Sequence, residues 1–234
     1  MKNNTGDTPS SLSMASIIAS SVHDMKNSVS MLINGLEKTL ASADSASLSA
    51  YAELVQMNHD AKRINNNLIQ LLTLYKLGQQ TYPFDPESVC LDDFLHAMAA
   101  QNMELLKSHG IGLKVDVDPG LYWYFDEDLV SGVIGNALNN AMRYTRDCIC
   151  LIARENEGVL ELRIEDNGGG YPTSMLQESV DNMRGVDFQG GSTGLGLYFS
   201  AVVARLHHNH HRLGEVRLEN GGSLEGGCFV LSLP

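Results

Sequence analysis

The segment EDNGGGYP, residues 165–172, places an acidic pair and three consecutive glycines at the end of an apolar run. Asp166 ends the run, and Gly168, Gly169 and Gly170 follow it. Glycine adopts positive φ without strain and lets the backbone approach a flat ligand closely. A carboxylate in such a turn can accept a hydrogen bond from an exocyclic amine. An ordinary hairpin turn explains the segment equally well, so the rest of the chain must decide.

The sequence on both sides of this turn predicts an α/β domain. Short apolar runs, alternating or continuous, predict strands near 111–117, 148–153, 159–165, 215–219 and 228–233. Amphipathic patterns predict helices near 91–107, 126–144 and 194–208. Helices combined with mostly hairpin-spaced strands favour a two-layer α/β sandwich with a mixed sheet.

A second polar cluster is NALNNAMRYT, residues 136–145. Asn136, Asn140 and Arg143 fall on one face of a predicted helix, because they are spaced by four and three residues. Amide oxygens that face a pocket can hold a hydrated metal ion together with phosphate oxygens. Solvated helix surface is the alternative interpretation of this segment taken alone.

A third cluster is GGSTGLGLYFSAVVARL, residues 190–206, in which a glycine-rich turn opens an apolar helix. Free backbone amides and the helix dipole at such a turn favour an anion, so the segment can bind phosphate. It is not a Walker motif, and it does not match the GxGxxG pattern that follows a strand.

The first 80 residues carry apolar side chains at alternating steps of three and four, which predicts a helical hairpin with coiled-coil seams. The first seam is Ile18, Val22, Met25, Val29, Leu32 and Leu36, and the second is Leu54, Met57, Ala61, Ile64, Leu68, Leu71 and Tyr75. One hairpin cannot bury both seams, whereas two hairpins can do so in a four-helix bundle. The pattern therefore predicts a homodimer.

Polar residues lie off the first seam in SVHDMKNSVS, residues 21–30. If Val22 occupies an a position, His23, Asp24 and Asn27 fall at b, c and f, and His23 and Asn27 are one turn apart. A polar surface would explain a lone exposed histidine. The alternative is a nucleophilic imidazole that attacks a phosphoryl group while Asp24 accepts its proton and Asn27 orients a water.

Composition excludes several classes of protein. The net charge is −12, and all of it lies in residues 81–234, which argues against nucleic acid or an anionic membrane as partner. Four cysteines without CxxC spacing predict free thiols. No apolar stretch approaches the length of a membrane span, and the first residues lack the apolar core of a signal peptide. We expect a cytoplasmic protein without membrane insertion and with a disordered lead over residues 1–11.

The order of these motifs along the chain resembles a two-component sensor histidine kinase. The His-Asp helix comes first, the Asn helix second, Asp-x-Gly-x-Gly third and the second glycine-rich turn last, and together they cover about residues 12–234. The resemblance implies an α+β protein. A dimerisation and histidine-phosphotransfer hairpin over 12–80 would precede a Bergerat-type (gyrase, chaperone and MutL-like) ATP-binding domain over 85–234.

The resemblance also implies functional roles for single residues. His23 would be the phosphoacceptor, Asp24 its acidic neighbour, and Asn27 a residue that supports phosphatase activity toward a response regulator. Asn140 would bind Mg²⁺. The ATP-binding residues implied are Asn136, Asn140, Arg143, Tyr144, Asp166, Gly168, Gly170, Gly191, Thr193, Gly194, Leu195 and Gly196. The partners implied are a second copy of the chain and the receiver domain of a response regulator.

Three further positions are informative when the chain is compared with this family and with related ATPases. Ser28 stands where proline is common, so we expect a less kinked first helix. Asn136 stands where related ATPases place a glutamate that activates water, so we expect slow hydrolysis. Phe188 is a candidate aromatic anchor in a short lid between the two glycine-rich turns. Only 22 residues precede His23, so we expect the signal to come from a separate input protein, unless the chain is a piece of a longer sensor.

Two further functions compete with a kinase. One is a dimeric histidine phosphotransferase that relays phosphoryl groups without ATP, which the intact Asn140, Asp166 and glycine-rich turns oppose. The other is a serine kinase of the same ATPase superfamily acting as an anti-sigma switch, which the phosphoacceptor hairpin opposes. The cluster RLHHNHHRL, residues 205–213, allows a metal site, but a surface helix end is the preferred interpretation.

Overall fold

Two long helices open the computed structural model, which describes residues 14–42, 48–177 and 195–234. They are α1 (Met14–Ser42) and α2 (Leu48–Gly78). The helices are antiparallel, because Ser30 Oγ donates to Asn65 Oδ1 at 3.4 Å and Lys62 Nζ lies 2.7 Å from Glu37 Oε1. The predicted helical hairpin is confirmed. The predicted lead over residues 1–11 lies outside the described residues.

The two predicted seams each divide between two faces of the hairpin. The a-type residues Val22 and Ala61 are buried between α1 and α2, and the other described a-type residues are half-buried. The d-type residues Met25, Leu32, Met57, Ile64 and Leu71 are exposed. Each helix of a four-helix bundle packs against two neighbouring helices. The a-type residues face the other helix of the same hairpin, and the exposed d-type residues are left for a helix outside it.

Helix α1 continues through Ser28 without a break. The Ser28 hydroxyl donates to the Asp24 carbonyl oxygen at 3.0 Å, one turn back along the helix. A serine keeps its backbone N–H, whereas a proline at this position would remove one helical hydrogen bond and kink the helix. The expectation of a less kinked first helix stays a prediction.

A mixed five-stranded sheet forms the second part of the chain. Its strands are β2 (Gly112–Val117), β4 (Cys148–Asn156), β5 (Val159–Asp166), β8 (Glu215–Gly221) and β9 (Gly226–Leu233), in the order β2-β4-β5-β9-β8. The first pair is parallel and the other pairs are antiparallel. The helices are α3 (Leu91–Ser108), α4 (Glu127–Tyr144), α5 (Thr173–Gln177) and α6 (Leu195–Leu206). All five predicted strands and all three predicted helices of this part are present.

Two short strand pairs were missed by the sequence analysis. β1 (Glu87–Cys90) pairs with β3 (Tyr122–Phe125), and β6 (His208–Asn209) pairs with β7 (Arg212–Leu213) inside the histidine cluster. Segments this short carry little periodic signal. Their pairing depends on partners and turns that periodicity does not report.

The core lies between one face of the sheet and helices α3, α4 and α6. Alternate residues of β4, β5 and β9 enter it, and they are Ile149, Leu151, Ala153, Leu160, Leu162, Ile164, Phe229, Leu231 and Leu233. The residues between them face the other side. There Arg163 of β5 pairs with Glu165, and Arg217 of β8 pairs with Glu161 and Glu219. The period of two along each strand sets this division.

Helix α4 begins at a capped turn. The Asp126 carboxylate accepts a hydrogen bond from Leu129 N at 3.0 Å, and Glu127 and Asp128 occupy the first turn, where the helix dipole favours acidic residues. Its buried face is Leu129, Val130, Val133, Ile134, Ala137, Leu138 and Ala141. The asparagines of this helix are therefore turned away from the core.

His207 corrects the expectation that the histidine cluster is a surface helix end. Its side chain is buried, and its Nε2 accepts a hydrogen bond from Asp126 N at 3.0 Å while Nδ1 lies 2.8 Å from the Val203 carbonyl oxygen, to which it donates. Burial lowers the pKa of His207. This neutral imidazole ties the end of α6 to the start of α4. His208, His210 and His211 are exposed as expected.

The cysteines and the hydropathy of the helices were also considered in the sequence analysis. All four cysteines are free thiols, as predicted. Across the described ranges, no helix is both long and apolar enough to cross a lipid bilayer.

Candidate functional site

A cavity of about 370 Å³ brings together the polar clusters that the sequence analysis found separately. It lies beside the C-terminal half of α4, the turn after β5 and the start of α6. The predicted ATP-binding residues that line it are Asn136, Asn140, Arg143, Tyr144, Asp166, Gly170 and Gly196. Gly168 lies behind this wall and Leu195 begins α6. Gly191, Thr193 and Gly194, together with the lid residue Phe188, lie outside the described residues.

The Asp166 carboxylate is buried and oriented by the backbone. Its Oδ1 accepts hydrogen bonds from Gly168 N at 2.7 Å and from Gly227 N at 3.3 Å. Both bonds use the same oxygen, so Oδ2 can accept a hydrogen bond from a donor in the cavity. A fixed acceptor on the wall of a flat pocket suits an exocyclic amine.

Two glycines are required here because the backbone passes very close to its neighbours. A Cβ at Gly168 would collide with the carbonyl oxygen of Tyr144, and a Cβ at Gly227 would lie 2.8 Å from Asp166 Oδ2. The contribution of Gly227 was missed by the sequence analysis. The glycine pair at 226–227, at the start of a strand, was the available signal, because such glycines often mark close backbone approach.

Asn167 holds the loop after α4 against this turn, and it was also missed. Its Oδ1 accepts hydrogen bonds from Thr145 Oγ at 2.8 Å and from the backbone N–H groups of Arg146, Asp147 and Cys148 at 3.1–3.2 Å. Its Nδ2 donates to Asp147 Oδ1 at 2.8 Å. An asparagine between Asp and Gly commonly makes such turn contacts, but the sequence does not identify its partners.

Tyr171 forms a further wall of the cavity. Burial raises the pKa of its hydroxyl well above the usual range, and the nearby Asp166 charge acts in the same direction. The ring therefore presents a neutral surface beside Asp166. Neutral aromatic surface next to a fixed acceptor fits a flat heterocycle.

Asn136 connects three helices at the cavity. Its Oδ1 accepts a hydrogen bond from Gln70 Nε2 of α2 at 2.7 Å, and its Nδ2 donates to the Gly196 carbonyl oxygen of α6 at 3.4 Å. Position 136 brings an amide, and no carboxylate, to the wall of the cavity. Asn140 and Arg143 follow at one and two turns, on the same face of α4 and on the cavity wall.

The predicted phosphoacceptor group lies on α1, outside this cavity. His23 Nδ1 is 3.7 Å from Asp24 Oδ1 and 3.3 Å from Asn27 Nδ2, and the side chains of His23 and Asp24 are 60% and 78% exposed. Both contacts involve Nδ1. The two contacts belong to different tautomers: a proton on Nδ1 can be accepted by the Asp24 carboxylate and leaves the lone pair on Nε2, whereas the Asn27 amide can donate only to an unprotonated Nδ1. The structure thus brings His23, Asp24 and Asn27 together as predicted.

Comparison with known proteins agrees with the geometry. Residues 125–234 match the family described as Histidine kinase-, DNA gyrase B-, and HSP90-like ATPase. Sensor protein SrrB of Staphylococcus aureus (strain N315) is 25% identical over 225 residues, which cover 93% of this chain and 37% of SrrB. Sensor histidine kinase RppB of Synechocystis is 24% identical over 225 residues, which cover 92% of this chain and 48% of RppB. The chain therefore spans less than half the length of these curated relatives.

Solved structures share the fold across both parts of the chain. Full-length ShkA in complex with AMPPNP superposes with a TM-score of 0.62 at 18% identity, covering 92% of this chain and 45% of ShkA. The histidine kinase AdeS of Acinetobacter baumannii gives 0.56 at 15% identity, covering 90% of this chain and 96% of AdeS.

The family match covers the domain that holds the cavity, and the curated relatives extend the similarity over the helical hairpin as well. Residues 125–234 have the ATP-binding fold of this family. Residues 125–234 belong to the ATPase family named above, and the chain is similar to two-component sensor histidine kinases over most of its length.

Proposed function

We propose that the protein is an ATP-dependent protein-histidine kinase that phosphorylates His23 and passes the phosphoryl group to an aspartate of a response regulator. The observation that carries the proposal is the arrangement at His23. Asp24 lies beside Nδ1, so in the tautomer that carries its proton there Nε2 is the nucleophile on an exposed helix face. An ATP-binding domain on the same chain supplies the donor.

The lining of the cavity supports one direction for bound ATP. Asp166 Oδ2 accepts the adenine amine beside Tyr171, which leaves the phosphates toward Asn140, Arg143 and the start of α6. The positive end of the α6 dipole and the Arg143 guanidinium both stabilise phosphate charge.

Mg²⁺ fits this donor set, because an amide oxygen of Asn140 together with phosphate oxygens and waters is the coordination that Mg²⁺ prefers. When bound, the ion neutralises charge on the transferring phosphate. Asn140 then fixes the phosphate end of the nucleotide relative to α4.

With ATP as the phosphoryl donor, side chains of the chain itself supply both the nucleophile and the proton acceptor for the transfer. His23 Nε2 attacks the γ-phosphorus, the bond to the ADP oxygen breaks, and the Nδ1 proton passes to Asp24. Asn136 offers no carboxylate to activate water, so hydrolysis of ATP stays slow and His23 is the preferred acceptor.

Two further activities follow from the same arrangement. The regulator's aspartate would attack phospho-His23 on its exposed face, where a receiver domain can approach. Asn27 would orient a water for dephosphorylation of the phosphorylated regulator, because an amide both donates and accepts hydrogen bonds without changing its protonation state.

Dimerisation is supported by the exposed apolar residues of the hairpin. Met25, Leu32, Met57, Ile64 and Leu71 form the d-type stripe, and large apolar patches on a helical surface mark interaction sites. A second hairpin with the same stripe would bury it in a four-helix bundle.

The test is incubation of the full chain with γ-labelled ATP and Mg²⁺. We expect label on His23 that is lost in acid and stable in base, and no label on the His23→Gln variant, which should bind ATP normally. If ATP binds but the wild-type chain takes no label, the kinase proposal is wrong. If ATP does not bind, the relay alternative gains support.

A further inference from the structure

The nucleotide cavity has one wall that does not belong to the ATPase domain. Arg63 and Asn67 of α2 line it together with Asn140, Arg143 and Asp166. Arg63 and Asn67 are four residues apart, so they lie on the same face of α2. Neither residue belongs to the motifs by which the sequence identified the ATP site.

Two direct contacts hold this face of α2 against α4. Gln70 Nε2 donates to Asn136 Oδ1 at 2.7 Å, and His59 Nε2 lies 3.3 Å from Asn139 Oδ1. Gln70 is almost completely buried. Arg63 and Asn67 lie between these two contacts along the helix, so they are positioned at the cavity by contacts on both sides.

The Arg63 guanidinium can take a new partner. Its ion pair with Asp60 is long, with Nη2 and Oδ1 3.4 Å apart, and both side chains are about half exposed, at 50% and 47%. Exposed pairs of this kind contribute little. A guanidinium prefers the bidentate geometry of a phosphate, and charge-assisted hydrogen bonds to phosphate are stronger.

The charges that line the cavity favour a polyphosphate at this wall. The charged lining residues are Arg63, Arg143 and Asp166. Asp166 belongs to the adenine end, so both cations are available to the phosphates. One arginine comes from the ATPase domain and the other from the hairpin.

We propose that Arg63 is a phosphate-binding residue supplied by the hairpin, so that ATP is bound between α2 and the ATPase domain. This rests on the proposed nucleotide site and adds that the triphosphate is recognised by both domains. By linkage, a nucleotide that contacts both sides also stabilises the docked arrangement of the two.

The test measures binding of AMPPNP, ADP and adenosine to the full chain by calorimetry. Arg63→Ala should weaken AMPPNP about tenfold, because one charge-assisted contact to phosphate is lost at a half-exposed site. Adenosine, which has no phosphate, should bind within twofold of wild type. Arg63→Lys should restore part of the AMPPNP affinity, because the charge returns without the bidentate geometry.

Lys62→Ala is the matched control. Lys62 is the neighbouring cation on α2, its Nζ lies 2.7 Å from Glu37 Oε1, and it lines the adjacent cleft between the domains instead of the nucleotide cavity. The Lys62→Ala substitution removes one positive charge from α2, as Arg63→Ala does. Because Lys62 does not line the nucleotide cavity, AMPPNP affinity should change less than twofold.

A second measurement follows docking directly. Hydrogen exchange of the backbone amides over residues 63–70 should slow when AMPPNP is added and should not change with adenosine. In Arg63→Ala this protection by AMPPNP should be reduced.

The inference is overturned if Arg63→Ala binds AMPPNP within twofold of wild type, if adenosine loses the same factor, or if Lys62→Ala loses as much. Failure of the kinase proposal has a different signature, in which His23 takes no label although Arg63→Ala still selectively weakens AMPPNP.

Discussion

The hairpin leaves large apolar side chains in solvent, whereas the ATPase domain buries its own. Leu32 of α1 is 56% exposed, whereas Leu138 of α4 is 0% exposed. The polar groups differ in the opposite sense. His23 and Asp24 are exposed, whereas Asp166 is buried and held by backbone amides. Under the proposed function, the hairpin must meet partners and keeps its apolar stripe and its reactive group accessible. The ATPase domain must recognise one small molecule and holds its acceptor in a fixed position inside a packed core.

The largest expected effect is on the exposed chemistry of the hairpin. Asp24→Ala should slow labelling of His23 by about 10²–10⁴, the usual contribution of a positioned base. The reason is that Nδ1 loses its carboxylate 3.7 Å away. The rate of label incorporation from ATP measures the effect.

Asn27→Ala is the contrast within the same group. It should leave labelling nearly unchanged and abolish dephosphorylation of a purified phospho-regulator. If Asn27→Ala cripples labelling while phosphatase activity persists, the roles of Asp24 and Asn27 are reversed.

The next effect is on the core of the ATPase domain. Leu138→Ala should lower the free energy of unfolding by about 2–5 kcal/mol, because a buried leucine leaves a cavity that the surroundings fill only partly. Denaturant unfolding followed by circular dichroism measures it. Leu213→Ala is the control, since Leu213 is 62% exposed and its truncation should change stability by less than about 0.5 kcal/mol.

A charge placed in the apolar stripe of the hairpin should change the oligomeric state of the protein instead of its folding. Leu32→Asp places a charge where a second hairpin would pack, and light scattering should show monomers. Met31→Asp should remain dimeric, because Met31 lies off the seam, although it is more exposed than Leu32, at 68%. A monomeric wild type, or equal dissociation of both variants, would contradict the bundle.

A smaller effect is expected at the buried acceptor. Asp166→Asn should weaken ATP binding about tenfold, roughly 1.4 kcal/mol, or reduce discrimination against GTP, because an amide is a poorer acceptor for the adenine amine. Calorimetric titration with both nucleotides measures it. Unchanged affinity and selectivity would show that Asp166 serves the turn alone.

The smallest effect concerns pH and the buried His207. Its folded pKa lies below the unfolded value of about 6.5, so the unfolded chain binds a proton that the folded chain does not as pH falls below about 6.5. Stability should therefore fall with pH in that range, by at most about 1.4 kcal/mol per pH unit from this group. Melting temperatures of wild type and His207→Gln between pH 7 and 5 should show a shallower fall in the variant. His208→Gln, which changes an exposed histidine, should keep the wild-type slope.

Local patterns were sufficient for the elements and for the order of the motifs. Heptad steps predicted both long helices, alternation predicted the five strands of the main sheet, and the glycine turns predicted the cavity around Asn140 and Asp166. These features depend on residues close together in the chain, where helix and strand periodicity apply directly.

The rest required the fold, because the partners are distant in sequence. In the sequence, His207 is one of four histidines at a helix end. In the structure it is buried, and its hydrogen bond comes from the backbone N–H of Asp126, 81 residues away. Asn167 reads as a turn residue, and only the fold brings the loop after α4 to its side chain.

The sequence by itself determined a helical hairpin followed by an α/β domain, because amphipathic periodicity and glycine-rich turns are local properties. The ATP-binding role was implied by the resemblance that the order of the motifs carries. Tertiary structure alone decided which seam residues face inward, which face of α2 meets α4, and that Arg63 reaches the nucleotide cavity. The physical reason is that a heptad pattern specifies an apolar stripe without specifying the surface that covers it. Contacts such as that of Gln70 with Asn136 form only when the two domains pack together.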